Sequence, residues 1–162
     1  MQPRNQIFPK FKPALLEKVF GKIPAGAKPH HSWHVLNIPK RTGYYPVEYT
    51  LRTMDECRIS WAKIIQKSKV KSQNCNSKVK SGLVSNIIVE YQPLTIENSK
   101  FKLGESVEKK VWSEINDKAF VKQPKVGDWI SLHWNWVCDF LTENQVENLQ
   151  KWTKYNLALA NL

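Results

Sequence analysis

No part of this chain approaches the ~20 consecutive apolar residues that a membrane-spanning helix needs. The N-terminus, Met-Gln-Pro-Arg-Asn-Gln-Ile-Phe-Pro-Lys, also lacks the apolar stretch of a secretory signal. Cysteine is scarce. Cys57, Cys75 and Cys138 are odd in number and far apart, so neither a disulfide framework nor a Cys-x-x-Cys pair is indicated. Cys57 and Cys138 lie in apolar strand-like patterns and read as buried thiols, Cys75 falls in a loop, and a reducing cytoplasm is the simplest compartment. Acidic residues are in deficit, 14 against 25 Lys and Arg, which leaves a formal charge of +11. A basic surface draws anionic ligands, nucleic acid or acidic proteins without selecting among them. The chain also has no glycine-rich phosphate loop, Rossmann fingerprint, nucleophile elbow or His-Glu-x-x-His helix, so none of those chemistries is signalled.

What the chain does have is tryptophan, seven in 162 residues, and a hydrophobic fraction of 41%, enough to argue for a folded core. The length suits one compact domain spanning 1–162, with residues 1–10 as a flexible leader. The richest segment is Val126-Gly-Asp-Trp-Ile-Ser-Leu-His-Trp-Asn-Trp-Val-Cys-Asp-Phe-Leu141. Read as one central strand, it turns Ile130, Leu132, Trp134, Trp136 and Cys138 to a core, and Trp129, Ser131, His133, Asn135 and Val137 to a mixed face that could wall a pocket.

Elsewhere, Pro13–Gly21 predicts a short helix with proline in its first turn and glycine at its end. Strands are predicted over 31–38, 56–65, 83–91, 94–96, 100–103 and 106–112. Residues 68–72 and 77–81 are both Ser-Lys-Val-Lys-Ser, a hairpin signal that would set Val70 opposite Val79 and lysine opposite lysine. Thr142-Glu-Asn-Gln145 has the form of a capping box, and Val146, Leu149, Trp152, Thr153, Asn156, Leu157 and Ala160 recur at helical spacing. The expected fold is α+β: a curved or partly closed, mainly antiparallel sheet with a short N-terminal helix and a packed C-terminal helix. Trp134 is expected to pack beneath Val146, Leu149 or Trp152 in the principal core.

Pro29-His-His-Ser-Trp-His34 holds three of the four histidines. On a regular strand His30 and His34 would be about 13 Å apart, too far to share one ion, unless a turn intervenes. The metal-ligating candidates are therefore His30, His31, His34 and His133, with Cys57, Cys138 or a carboxylate completing a set around a transition-metal ion. His133 shares its strand face with Ser131 and Asn135, and would meet His31 or His34 if the two strands were neighbours. Arg58, in the polar group Asp55-Glu-Cys-Arg58, could hold a carboxylate or phosphate, or pair with Glu56 or Asp128. Asp128 sits at a strand entrance where carboxylates cap backbone amides. Arg58, Asp128, Ser131, His133 and Asn135 are thus the ligand-binding candidates. Lys67, Lys69, Lys71, Lys78 and Lys80 form an anion or nucleic-acid surface on the hairpin. No catalytic residue is assigned.

The fragments Pro29-His-His-Ser-Trp-His-Val-Leu36, Leu51-Arg-Thr-Met-Asp-Glu-Cys-Arg-Ile-Ser-Trp-Ala-Lys-Ile64 and Val126–Thr142 resemble a functionally uncharacterised family of bacterial and archaeal proteins. The resemblance runs from about Phe11 to Asn161. It implies that some members sit beside hydrogenase-associated genes, and it draws attention to His30, His31, His34, Cys57, Arg58, Asp128, His133 and Cys138 without assigning catalysis. Such members carry a further helical segment before the region matching Phe11, and a Tyr-Pro-Trp-like sequence where this chain has Asn37-Ile-Pro-Lys-Arg-Thr-Gly-Tyr-Tyr45. The missing segment implies the absence of part of a pocket or partner surface. Two functions follow: a small metal- or ligand-binding accessory protein with a histidine-containing cleft, with or without enzymatic activity, and a non-enzymatic basic nucleic-acid-binding module using the 67–80 lysine hairpin.

Overall fold

The computed structural model describes residues 30–42, 50–68, 84–115 and 118–162. The helix expected over Pro13–Gly21, the leader 1–10 and the Val70–Val79 hairpin tip lie outside these residues. The described elements run α1 (His31–Thr42), α2 (Leu51–Cys57), β1 (Ser60–Ser68), β2 (Val84–Tyr91), β3 (Leu94–Glu97), β4 (Lys100–Leu103), β5 (Val107–Ile115), β6 (Trp129–His133), β7 (Trp136–Phe140) and α3 (Glu143–Ala160). The fold is α+β, as the residue pattern predicts.

The main sheet has the order β1–β2–β5–β7–β6, with β6 pairing back on β1, so that it closes on itself. Pairing is antiparallel except between β5 and β7, which meet at one parallel position, Trp112 opposite Trp136. A hydrogen bond from Trp112 N–H to the Asn135 carbonyl, 2.8 Å, reinforces that seam. The result is a strongly curved sheet with one thin join rather than a uniformly bonded barrel. Curvature comes from register breaks: the ladder skips Ile65 in β1, Ser113 in β5 and Cys138 in β7. Each extra residue bends its strand and raises local twist.

Apolar residues segregate into two cores. Ala62, Ile64, Ile87, Val89, Val111, Ile130, Leu132 and Val137 fill the inside of the curved sheet. Val35, Leu36, Met54, Leu94, Leu157 and Ala160 join the three helices to the small β3–β4 hairpin. Helix α3 begins at the Thr142–Gln145 capping box, with the reciprocal bonds that motif requires. Its chief partner is α1. The Ser32 and Thr153 hydroxyls lie 3.4 Å apart, and Asn37 Nδ2 donates to the Asn156 carbonyl at 3.2 Å.

Three expectations are corrected here. Residues 31–42 are helical, not a strand. Buried Ser32, Val35 and Leu36 fall at positions i, i+3 and i+4, which overrides the apparent alternation of the histidine block. The strand expected from Glu56 begins at Ser60, because a Thr50–Thr53 capping box starts α2 and carries it to Cys57. The tryptophan-rich segment is a hairpin rather than one strand. Trp134 and Asn135 form a two-residue turn with φ of 50° and 63°, the left-handed pair that a type I′ turn requires.

That turn reverses the faces beyond it. Across a hairpin, opposed residues share a face, so Val137 joins Leu132 in the core while Trp136 joins His133 outside. Trp134 stands at the tip, 45% exposed, and does not pack beneath α3.

Candidate metal centre

Three separated segments end at one place. His31 opens α1, Cys57 closes α2 and His133 ends β6, and one ligating atom from each lies within 4.8 Å of the others. His31 Nε2 is 3.8 Å from Cys57 Sγ. Nitrogen and thiolate ligands on one tetrahedral ion are separated by about 3.5 Å, so a small contraction would complete the contact. The same His31 nitrogen donates to the Cys57 carbonyl at 2.7 Å, a bond that metal coordination through that atom would exchange. The His31 and His133 rings meet edge to face with centroids 5.3 Å apart and planes at 81°.

His133 keeps one ring nitrogen unsatisfied. Its Nε2 is buried and has no hydrogen-bond partner. A lone polar nitrogen in that position is costly unless something binds it. Burial and then the neighbouring His31 lower the His133 pKa, with a hydrogen bond to the Cys57 backbone partly opposing them. Burial pushes the Cys57 thiol up. The cluster therefore favours a neutral His133, ready to donate a lone pair, and a thiol that must lose its proton to bind a metal.

The supporting shell is built on Glu56. Its carbonyl accepts from Trp134 N–H at 2.7 Å, and its carboxylate accepts from Asn135 Nδ2 at 3.1 Å, so the β6–β7 turn is pinned to the end of α2. Arg52 donates to the same carboxylate from one helical turn earlier, at 3.1 Å. Burial raises the Glu56 pKa, but the hydrogen bonds from Arg52 and Asn135 and the charges of Arg52 and Lys109 outweigh it, leaving the carboxyl below its ordinary range. Asn135 is thus a positioning residue. Its left-handed conformation, φ 63°, suits asparagine, whereas the same region is strained by ~1–2 kcal/mol for a bulky residue such as Trp134.

The remaining sequence candidates separate. Arg58 is fully buried beside the centre. It donates through Nε to Asp55 at 2.9 Å and through Nη2 to the Gln92 carbonyl, and it faces the Trp61 ring at 5.9 Å. Its ionic partner is Asp55, not Glu56 or Asp128. Asp128 accepts from Lys125 N–H at 2.7 Å and so caps the turn before β6. Ser131 is buried and donates to the Asp139 carbonyl at 3.4 Å. His30 Nδ1 accepts from Ser32 N–H at 3.2 Å at the start of α1, and its ring lines a separate cleft of about 320 Å³ with Ser131, Leu149 and Trp152. Burial and then the charge of His31 lower the His30 pKa. The side chain of His34 and residues Lys69, Lys71, Lys78 and Lys80 lie outside the described residues, while Lys67 is exposed near the end of β1.

Residues 4–162 match the model of a family described as a family of unknown function, DUF6390. The chain belongs to that family. No curated protein and no solved structure matches this DUF6390 member. Among its described residues no helix is long and apolar enough to cross a membrane.

Two features of this region escaped the sequence. The aromatic groove beside His133, lined by Phe120, Trp134 and Trp136, was concealed because the turn at Trp134-Asn135 contains no glycine to mark it. The Asp55–Arg58–Tyr91 network was visible only as a local polar group. Tyr91, whose hydroxyl donates to Asp55 Oδ2 at 3.1 Å, carries no signal that links it to that carboxylate.

Proposed function

We propose that this protein binds one transition-metal ion through His31, Cys57 and His133 and leaves a further coordination position for an exogenous ligand. The convergence of two imidazoles and a thiol from three elements within 4.8 Å carries this reading, sharpened by the unpartnered His133 Nε2. Two nitrogens and one sulfur suit zinc or copper better than magnesium or calcium, which select oxygen donors. Three protein ligands with an open position are the arrangement of reactive rather than purely structural zinc sites. When bound, the ion would act as a Lewis acid toward the group in that position.

The accessory role extends this reading. A neighbourhood of hydrogenase-associated genes, implied by the sequence resemblance, would suit a small protein that holds a metal ion or a metal-bound ligand. Free Cys57 and Cys138 are compatible with a reducing cytoplasm, and we take residues 1–162 as one domain with 1–10 as its leader. The nucleic-acid alternative, with Lys67, Lys69, Lys71, Lys78 and Lys80 as its surface, rests on net charge and gains no support from this centre.

The test uses protein purified without a histidine tag, stripped with a chelator and titrated with cobalt(II). One equivalent should produce ligand-field bands together with thiolate-to-cobalt charge transfer, and zinc should displace it. The absence of binding or of any change in thermal stability with cobalt, zinc, copper or nickel would overturn the reading.

A further inference from the structure

Resting on that metal reading, we propose that the ligand completing the centre is a planar aromatic, anionic small molecule held in the groove outside the β6–β7 hairpin. The groove is open to solvent and has a volume of about 710 Å³, a size suited to small organic ligands, and His133 forms part of its wall. His133 thereby belongs to both the metal cluster and the groove wall, and the proposal requires the guest's donor atom to reach the ion past that ring.

The lining is aromatic to an extent that needs explanation. Phe120 is 77% exposed and Trp134 45% exposed, although both would be stabilised by burial. Phe120 meets Trp136 edge to face at 6.4 Å and 88°, and Trp134 meets His133 at 6.1 Å and 71°. These two angled pairs offer ring faces and edges to a flat guest. Trp134 is held there by a left-handed turn residue, φ 50°, a conformation that asparagine or glycine would adopt more easily. Backbone strain that serves to keep a tryptophan exposed beside a candidate centre points to binding rather than packing. The register break at Cys138 turns that side chain toward the same groove instead of the ladder.

Charge selects among flat molecules. Among the described residues, Lys118 is the one lysine or arginine on the groove wall, and no described carboxylate lines it. An anionic substituent near Lys118, an aromatic body between Phe120, Trp134 and Trp136, and a donor atom at the ion together define the class.

Hydroxamates separate the parts of this proposal because they bind zinc or cobalt through their oxygens whatever their substituent. On the cobalt-loaded full chain, 2-naphthohydroxamate should bind at least about tenfold more tightly than acetohydroxamate, equivalent to ~1.4 kcal/mol, and should quench tryptophan fluorescence. Phe120→Ala should reduce that preference several-fold while leaving cobalt binding and acetohydroxamate affinity unchanged. Lys118→Gln should weaken binding of 6-carboxy-2-naphthohydroxamate, whose carboxylate can meet the lysine while its hydroxamate holds the ion. Equal affinity for the two hydroxamates on a protein that retains its cobalt–thiolate bands would overturn the groove proposal alone. So would full preference in Phe120→Ala, or 6-carboxy-2-naphthohydroxamate binding that is indifferent to Lys118→Gln or to removal of the metal. Absence of cobalt bands would overturn both readings.

Discussion

Two polar clusters meet at the last turn of α2, and they differ in how far their groups are satisfied. On the inner side, the Asp55 carboxylate accepts from Arg58 Nε at 2.9 Å, Leu94 N–H at 2.8 Å and Tyr91 hydroxyl at 3.1 Å. Arg58 is left with only Nη1 unpartnered. On the outer side, His31, Cys57 and His133 crowd together with a buried nitrogen unmatched and a thiol in loose contact. The first cluster ties α2 to β2 and β3 and leaves little capacity for a ligand. The second keeps one ligating nitrogen, His133 Nε2, unmatched. Adjacent residues in sequence, Cys57 and Arg58, therefore serve opposite ends: one joins the His31–His133 cluster, the other seals a core.

The most damaging substitution should be Asp55→Ala. It strands a buried guanidinium, and breaking a buried ion pair from one side costs ~3–5 kcal/mol, measurable by urea denaturation. A loss below ~1 kcal/mol would mean the inner cluster is not the closed network described. The Tyr91 hydroxyl adds a pH signature. Burial, then the charge and hydrogen bond of Asp55, push it up to about 12. A raised pKa means its contribution is complete below the ordinary value of about 10 and fades as pH rises through the native value. Alkaline unfolding between about pH 10 and 12 should therefore be shallower in Tyr91→Phe.

The outer cluster should respond in the opposite manner. Cys57→Ala or His133→Ala should weaken cobalt or zinc binding by more than the ~10–100-fold typical of groups that only support a ligand. The metal-free variants should stay within about 1.5 kcal/mol of wild type by denaturation. Unfolding of metal-free His133→Ala would erase the contrast between the two clusters.

Acidity sharpens the same contrast. The native pKa of His133 is lowered, so the unfolded state takes up its proton first. Stability should fall as pH drops from the ordinary histidine value of about 6.5 through the lower native value, and His133→Gln should blunt that loss. Metal affinity should fall over the same range and rise toward alkaline pH, since the raised Cys57 thiol releases a proton on binding. Calorimetry in buffers of different ionisation enthalpy reads that proton directly. A zinc affinity flat from pH 6 to 8.5 would exclude both groups as ligands.

The smallest effect belongs to the turn that supports the outer cluster. Trp134→Asn should relieve the left-handed strain and raise stability by ~1 kcal/mol. A net loss in denaturation would show that exposed Trp134 contributes more by packing than its backbone costs.

Much of the framework was legible because its signals are local. The Thr142-x-x-Gln145 box marks the start of α3, and alternation over 83–91 and 106–112 marks β2 and β5. His133 was expected to meet His31 or His34 across a sheet if their strands were neighbours. His31 and His133 do meet, but at the end of a helix and the end of a strand. Cys57 was only one of several suggested ligands, since nothing within its own segment distinguishes it from Cys138.

What the sequence determined alone was the inventory: a basic, tryptophan-rich chain with few cysteines, a capped C-terminal helix and strands of recognisable period. Periodicity and capping are written within a few residues of where they act, so they survive without tertiary context. Tertiary structure decided that 31–42 would be helical, that the tryptophan segment would fold back at Trp134-Asn135, and that residues 31, 57 and 133 would converge. Those outcomes depend on which face each element buries against a distant partner, and that free energy belongs to the packed pair rather than to either segment.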